Sequence, residues 1–235
     1  VDVCAWRDKA DAIILCWQPG MEGGNTLASV IDGTVNPSGH LPATISTEYA
    51  LEPTTENFPL LYADKPFNYS YYRQIKSKKL PMHTVKNIDY TEYEEGIYVG
   101  YRYFDTFGIN PIYPFSFGLS YTDFDIKVKG VSVDKTKVNL DVEVKNMGNF
   151  TGKEVVQVYL SEPEVKLPKA YQQLAAFKKT KELGTGETEN FNLSFDITDF
   201  AGFYEETAQF ILEKGDYYIR VGNSSRNTHI AAKIT

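Results

Sequence analysis

The sequence predicts a mainly β protein: an antiparallel β-sandwich, preceded by a short α/β fragment and a long irregular connector. Three observations carry that reading. From Tyr121 onward apolar residues recur at every second position, the period of a strand with one buried face. Earlier, a single continuous apolar run, Ala12 to Trp17, leads through a glycine-rich turn into helical spacing. Aromatic residues (17 Tyr, 14 Phe and 2 Trp) make up 14% of the 235 residues, and tyrosine and phenylalanine favour half-buried pleated surfaces.

Residues 1–50 read as the α/β fragment. Ala5 to Ala10 is predicted as a short helix. The run 12–17 lacks alternation, as does a strand buried on both faces of a parallel sheet. The turn Pro19-Gly20-Met21-Glu22-Gly23-Gly24 follows. A helix from Asn25 to Ile31 is next, with Leu27, Val30 and Ile31 on one face and Asp32-Gly33 as its stop. Asn36-Pro37-Ser38-Gly39 turns the chain into a short extended segment, Leu41 to Ile45. No βα unit follows, so the sheet that this strand needs is expected to lie outside the chain. Exposed apolar surface is therefore expected within 1–50, covered by self-association, strand exchange or refolding of the segment.

Residues 51–120 form the connector, far longer than the usual loop of about 4–6 residues. Its composition is too aromatic for disorder. Tyr93, Tyr98, Tyr101, Tyr103, Phe104 and Phe107 need somewhere to pack, which predicts an ordered segment pinned across neighbouring domains.

Residues 121–235 alternate. Phe124, Ile126 and Val128 open the pattern, followed by Val138 to Val144, Val156 to Leu160, Phe191 to Phe195, Tyr217 to Val221 and Ile230 to Ile234. Turns such as Asn146-Met147-Gly148-Asn149 and Glu213-Lys214-Gly215-Asp216 separate them. Short strands at this spacing, over a stretch of this length, predict one immunoglobulin-like or fibronectin type III-like domain.

Composition narrows the function. At 42% hydrophobic and 23% charged residues, the chain is an ordinary globular protein able to bury a core. A net charge of −7 argues against nucleic acid, whose phosphates need a concentrated basic surface. The one basic cluster, Lys76, Lys78 and Lys79, reads as a solvated loop. No apolar run approaches the roughly 20 residues needed to span a bilayer, so no membrane is expected. Val1 opens without a methionine or a signal peptide, which predicts a segment of a longer polypeptide. Two isolated cysteines, Cys4 and Cys16, and no export signal point to the cytoplasm. The sequons at Asn68, Asn149, Asn192 and Asn223 are surface-compatible tripeptides that arise often by chance.

The chemistry-bearing residues do not assemble. His40, His83 and His229 are scattered, and neither cysteine stands at ligand spacing, so no metal and no cofactor is expected. Each histidine reads as structural or solvent-exposed. No serine lies in a nucleophile elbow. The glycine-rich turn lacks both the phosphate-loop ending and the dinucleotide spacing, and Glu22 within it is expected to serve the helix end. A retaining glycosidase holds two carboxyl groups about 5–5.5 Å apart across the scissile bond. Glu94 and Glu95, adjacent on an extended chain, would point to opposite faces; Glu205 and Glu206 meet the same objection. No catalytic residue is assigned. Were catalysis present, Glu22, Glu94 and Glu95 would be the first to test.

Several stretches together resemble family 3 of the glycoside hydrolases. Asp11 to Leu15, Pro19 to Asn25 and Val35 to Pro42 resemble the closing part of that family's α/β sandwich domain. Tyr93 to Asp105 and Pro114 to Thr122 resemble its connector. Lys145 to Gly148, Gly152 to Tyr159 and Gly215 to Ser225 resemble its fibronectin type III-like domain. Two local departures stand out: Ser116 replaces a usual glycine, and Lys169 to Phe177 lacks the commoner Arg-Pro and Lys-Glu-Leu pattern. The resemblance implies a β-glucosidase parent acting on terminal β-linked glucose. It also implies that the nucleophile Asp lies on a separate (β/α)₈-type barrel, and that the acid/base Glu lies upstream of Val1. The chain is then expected to be an accessory portion, inactive alone, whose partners are the barrel and the remainder of the α/β domain. The alternatives are a free-standing carbohydrate-binding module, with tyrosines as its stacking platform, or a protein-interaction sandwich.

Overall fold

The alternating half of the chain folds as its period requires. In this computed structural model, which describes residues 3–54 and 93–235, two antiparallel sheets pack face to face. One contains β1 (Phe124–Asp134), β2 (Lys137–Asn146) and β5 (Thr188–Asp196) in the order β1-β2-β5. The other contains β3 (Val155–Ser161), β4 (Gln173–Lys179), β8 (Tyr217–Ser224) and β9 (Asn227–Ile234) in the order β4-β3-β8-β9. A small exposed hairpin, β6 (Gly202–Tyr204) with β7 (Gln209–Ile211), lies between β5 and β8 in the chain.

The core is the set of inward residues that the pattern picks out. On β2, Val138, Leu140, Val142 and Val144 are each exposed by 1% or less, while the residues between them face outward. They meet Val156, Val158 and Leu160 of β3 and Ile219 and Val221 of β8, with Leu183, Leu193 and Phe195 closing the edges. Each such side chain contributes roughly 1.5–3 kcal/mol by leaving water.

β3 departs from alternation: six of its seven residues are buried. Its outward residues Gln157 and Tyr159 are covered by the connector, which explains how a glutamine comes to be 4% exposed on a sheet face. A short helix, α2 (Tyr101–Thr106), lies over this face with Phe104 fully buried, and the Tyr101 ring packs on Phe115 at 4.9 Å and on Tyr159 at 5.9 Å. The packing expected of the connector aromatics holds for Tyr98, Tyr101, Tyr103 and Phe104 but not for Tyr93, which is 82% exposed. Residues 55–92 fall outside the described residues. The basic cluster at Lys76, Lys78 and Lys79, the Asn68 sequon and His83 fall there too.

The N-terminal stretch differs from its expectation. The run 12–17 is not a strand. Ile13, Ile14, Leu15 and Trp17 are 39%, 48%, 49% and 65% exposed, without regular secondary structure. A strand is stable only when neighbours accept its backbone hydrogen bonds, and none of the described strands pairs with this run. The exposed apolar surface expected there is present. Where a helix was expected over 5–10 there is one 3-10 turn, Arg7–Lys9. The helix after the glycine-rich turn does form, as α1 (Gly23–Ile31), and Gly23 is required because a Cβ there would lie 2.5 Å from Pro19 Cγ.

Residues 39–45 run back along 112–118. Leu41 N–H donates to Phe117 O and Ser116 N–H to Leu41 O, at 2.9 and 2.8 Å, and Ile45 bridges Tyr113. The closest approach is at Gly118, where a Cβ would lie 2.6 Å from Gly39 O. Through this pairing the α/β end of the chain reaches the sandwich.

Candidate functional site

Among the described residues, polar side chains gather at a joint where three stretches meet: 36–40, 101–122 and the outer face of β3 and β8. Asn36 is its first tie. Its carbonyl oxygen accepts from Ser120 Oγ at 3.0 Å and Tyr121 N at 2.8 Å, and its amide donates to Thr151 O at 3.0 Å. One side chain in the Asn-Pro-Ser-Gly turn thus bonds to the connector and to the loop leading into β3. Nearby, Tyr121 Oη donates to Val30 O at 2.7 Å, fastening the end of α1.

His40 is the second tie. Its Nδ1 lies 2.7 Å from Ser116 O and 3.2 Å from Ser116 Oγ, and its Nε2 lies 3.2 Å from Glu154 Oε1. Glu154 is held in turn by Val155 N at 2.7 Å and Asn223 Nδ2 at 3.1 Å. Behind Ser116 the chain of bonds continues: Gln157 Nε2 donates to Ser116 Oγ, and Tyr159 Oη donates to Gln157 Oε1. Burial lowers the basicity of His40, but the hydrogen bond and charge of Glu154, with the carbonyls of Ser116 and Asn223, outweigh it and raise the pKa above its ordinary value. Burial also pushes the phenols of Tyr101 and Tyr159 upward, so both stay protonated.

A hydroxyl, an imidazole and a carboxylate in series resemble a nucleophilic relay, but the geometry denies that chemistry. Ser116 is 2% exposed, beyond reach of a substrate. Its hydroxyl oxygen accepts from Gln157, and His40 Nδ1 is engaged by the Ser116 carbonyl, which demands a proton on that nitrogen. The imidazole is a clamp between two stretches. Ser116 also has φ +66°, a left-handed conformation that suits the glycine usual in the resembled family.

Arg226 is the third tie. Its Nε donates to Asp105 Oδ1 at 2.5 Å, and its NH2 group donates to Phe104 O and Ile109 O at 2.9 and 2.8 Å. Gln172 Nε2 bonds Asp105 Oδ2 at 3.0 Å and Ser225 O at 2.6 Å. Burial raises the Asp105 pKa despite these donors. Leu174 N donates to Tyr101 Oη at 2.8 Å, and Tyr171 N to Thr106 Oγ1 at 2.9 Å, so β4 and its approach are bonded to α2.

The carboxylates weighed from sequence stay apart from this joint. Glu22 is the N-cap of α1, exposed, and accepts from Asn25 Nδ2 at 2.8 Å. Glu94 and Glu95 occupy a turn rather than an extended stretch, with Glu94 exposed and Glu95 half-buried. Glu205 and Glu206 sit in the exposed turn of the β6–β7 hairpin, where Glu206 accepts from Tyr204. Among the described residues no group of histidine, cysteine, aspartate and glutamate is arranged to hold a metal. His229 is exposed, and Cys4 and Cys16 form no disulfide. The joint residues His40, Ser116, Arg226 and Asp105 were passed over as sites in the sequence, although each lies in or beside a stretch that carries the family resemblance.

The comparisons agree with that resemblance. The model of the glycosyl hydrolase family 3 C-terminal domain matches residues 1–101, and that of the fibronectin type III-like domain matches residues 154–225. Beta-glucosidase B of Emericella nidulans is 34% identical over 226 residues, 94% of this chain and 25% of that protein. Thermostable beta-glucosidase B of Acetivibrio thermocellus is 33% identical over 228 residues, 94% of this chain and 26% of that protein. Among solved structures, beta-glucosidase 3B from Thermotoga neapolitana in complex with alpha-D-glucose superposes with a TM-score of 0.82 and 40% identity, covering 99% of this chain and 29% of that one. The chain therefore spans about a quarter of the length of the curated relatives it matches. With both domain models met in the family's order, the chain belongs to glycoside hydrolase family 3, as a stretch of its C-terminal domain followed by a fibronectin type III-like domain.

Proposed function

We propose that this chain is the accessory, non-barrel portion of a retaining β-glucosidase hydrolysing terminal β-D-glucosyl residues, that it braces the catalytic domains, and that it is inactive alone. The observation that carries the bracing reading is the joint itself. Asn36, His40 and Arg226 fix the α/β end and the connector to one face of the sandwich through side-chain bonds, an arrangement suited to transmitting rigidity. Its partners in this reading are the barrel and the remainder of the α/β domain, within the same polypeptide. The exposed run 13–17 would dock there, and in the isolated chain it would drive self-association. We divide the chain accordingly at 1–50, 51–120 and 121–235. We place it in the cytoplasm, in keeping with two cysteines that form no disulfide.

The test is hydrolysis of a chromogenic β-glucoside by the purified chain at high concentration. No turnover is expected; turnover that survives repurification overturns the reading and directs mutation to Glu22, Glu94 and Glu95. A free-standing carbohydrate-binding module is the second reading, favoured by exposed rings such as Tyr93 and Phe177, 82% and 66% exposed. Calorimetric titration with cellobiose separates the two, since only the module predicts saturable binding.

A further inference from the structure

We propose that the cleft between α2 and the β8–β9 turn is a binding site for a small oxyanion. The cleft has a volume of about 200 Å³ and is lined by Asp105, Tyr171, Arg220, Ser225, Arg226 and Thr228. Two guanidinium groups and one carboxylate meet there. The carboxylate is already taken up by Arg226 and Gln172. Arg220 is the charge left over: among the described residues it forms no ion pair, although it is half-buried on the sheet face.

The way Arg220 is held favours a ligand over a solvated surface charge. Its guanidinium lies 4.7 Å from the centre of the Tyr171 ring, and its Nε donates to Ser161 Oγ at 3.0 Å. Stacking fixes the plane and the Nε bond fixes the rotation, so the terminal amino edge is presented as a rigid fork. A planar fork held this way matches the paired oxygens of a carboxylate, phosphate or sulfate. Arg226 is likewise immobilised by its three acceptors. The Ser225 hydroxyl, in a residue 3% exposed, lines the wall and faces the Asp105 carboxylate. On a chain of net charge −7, a fixed and unpaired guanidinium beside a neutralised Arg226–Asp105 pair is a local exception.

The probes are inorganic phosphate, sulfate and glucuronate, titrated calorimetrically into the chain at ionic strength held constant with chloride, with glucose as the neutral control. Saturable binding of phosphate and sulfate without glucuronate identifies a free inorganic anion. Binding of glucuronate, with glucose silent, identifies the carboxylate of an acidic sugar. Arg220→Gln is expected to weaken binding at least about tenfold, with Arg220→Lys intermediate because it keeps charge without the fork. Should Arg220→Gln fail to fold, amide NMR shifts of the unaltered chain serve instead. Shifts confined to residues 105, 171, 220 and 225–228 support the site. Absence of saturable binding to all three anions, binding unchanged in Arg220→Gln, or shifts centred elsewhere would overturn it.

Discussion

Two apolar runs in this molecule have opposite fates. Ile13, Ile14 and Leu15 form a run that reads as a strand buried on both faces, yet it lies exposed and unpaired. Val155 to Leu160 has a glutamine and a tyrosine breaking its aliphatic row, yet it is β3, buried on both faces. The difference lies in what surrounds each run. β3 has β4 and β8 as hydrogen-bonded neighbours, β2 beneath it and the connector above. The run 13–15 has no paired strand among the described residues. Hydrophobicity alone does not bury a segment; satisfied backbone groups on both edges and cover on both faces do.

Leucine in the two runs gives the sharpest test. Leu160→Ala is expected to cost about 3 kcal/mol by chemical denaturation, because Leu160 is fully buried and a cavity remains. Equal stability would mean that β3 is not the centre of the core. The cover above β3 should matter nearly as much. Arg226→Ala strands the carboxylate of Asp105, whose side chain is 3% exposed, and about 2–3 kcal/mol is expected to be lost, discounted because Arg226 itself is about a third exposed. A loss below 0.5 kcal/mol would show that the connector is a passive lid.

A smaller effect follows pH. Because the folded-state pKa of His40 is raised, its contribution is fully present below the unfolded value near 6.5 and is lost as pH rises through the folded value. Denaturation midpoints should therefore fall from mildly acidic to alkaline pH. His40→Gln should flatten that slope, and a slope unchanged by the substitution would remove His40 as its source. Least of all, Leu15→Ser should leave the thermal midpoint within about 1 °C, since a half-exposed side chain contributes little. The same substitution should lower apolar-dye binding and sedimentation-detected association. If it instead destabilised the chain as Leu160→Ala does, the contrast between the two runs would collapse.

What could be read from sequence follows the same division. The strands with one wet face announce themselves by period two, and β2 is the clearest, with Val138, Leu140, Val142 and Val144 all inward. β4 was missed because Leu174, Ala175, Ala176 and Phe177 do not alternate, and the hairpin β6–β7 because three-residue strands carry no period. α2 is too short for a helical repeat; its only local signal is Tyr101 and Phe104 at a spacing of three. The joint left no periodic trace at all. His40 meets Glu154 and Ser116 across stretches that no local rule connects, and polar residues that satisfy one another over long separations look in sequence like ordinary turn residues. The family resemblance located these turns, whereas their mutual bonding appears only in three dimensions.

Asn36 has a consequence for exchanging parts between relatives. Because this one amide bonds both to Tyr121 and to Thr151, the sandwich does not end where its first strand begins. A chimaera spliced at residue 121 would join a foreign turn to a native sheet and leave those donors and acceptors mismatched. An exchanged segment has to begin no later than α1, whose Val30 carbonyl accepts from Tyr121, so that the asparagine travels with the two segments it ties together.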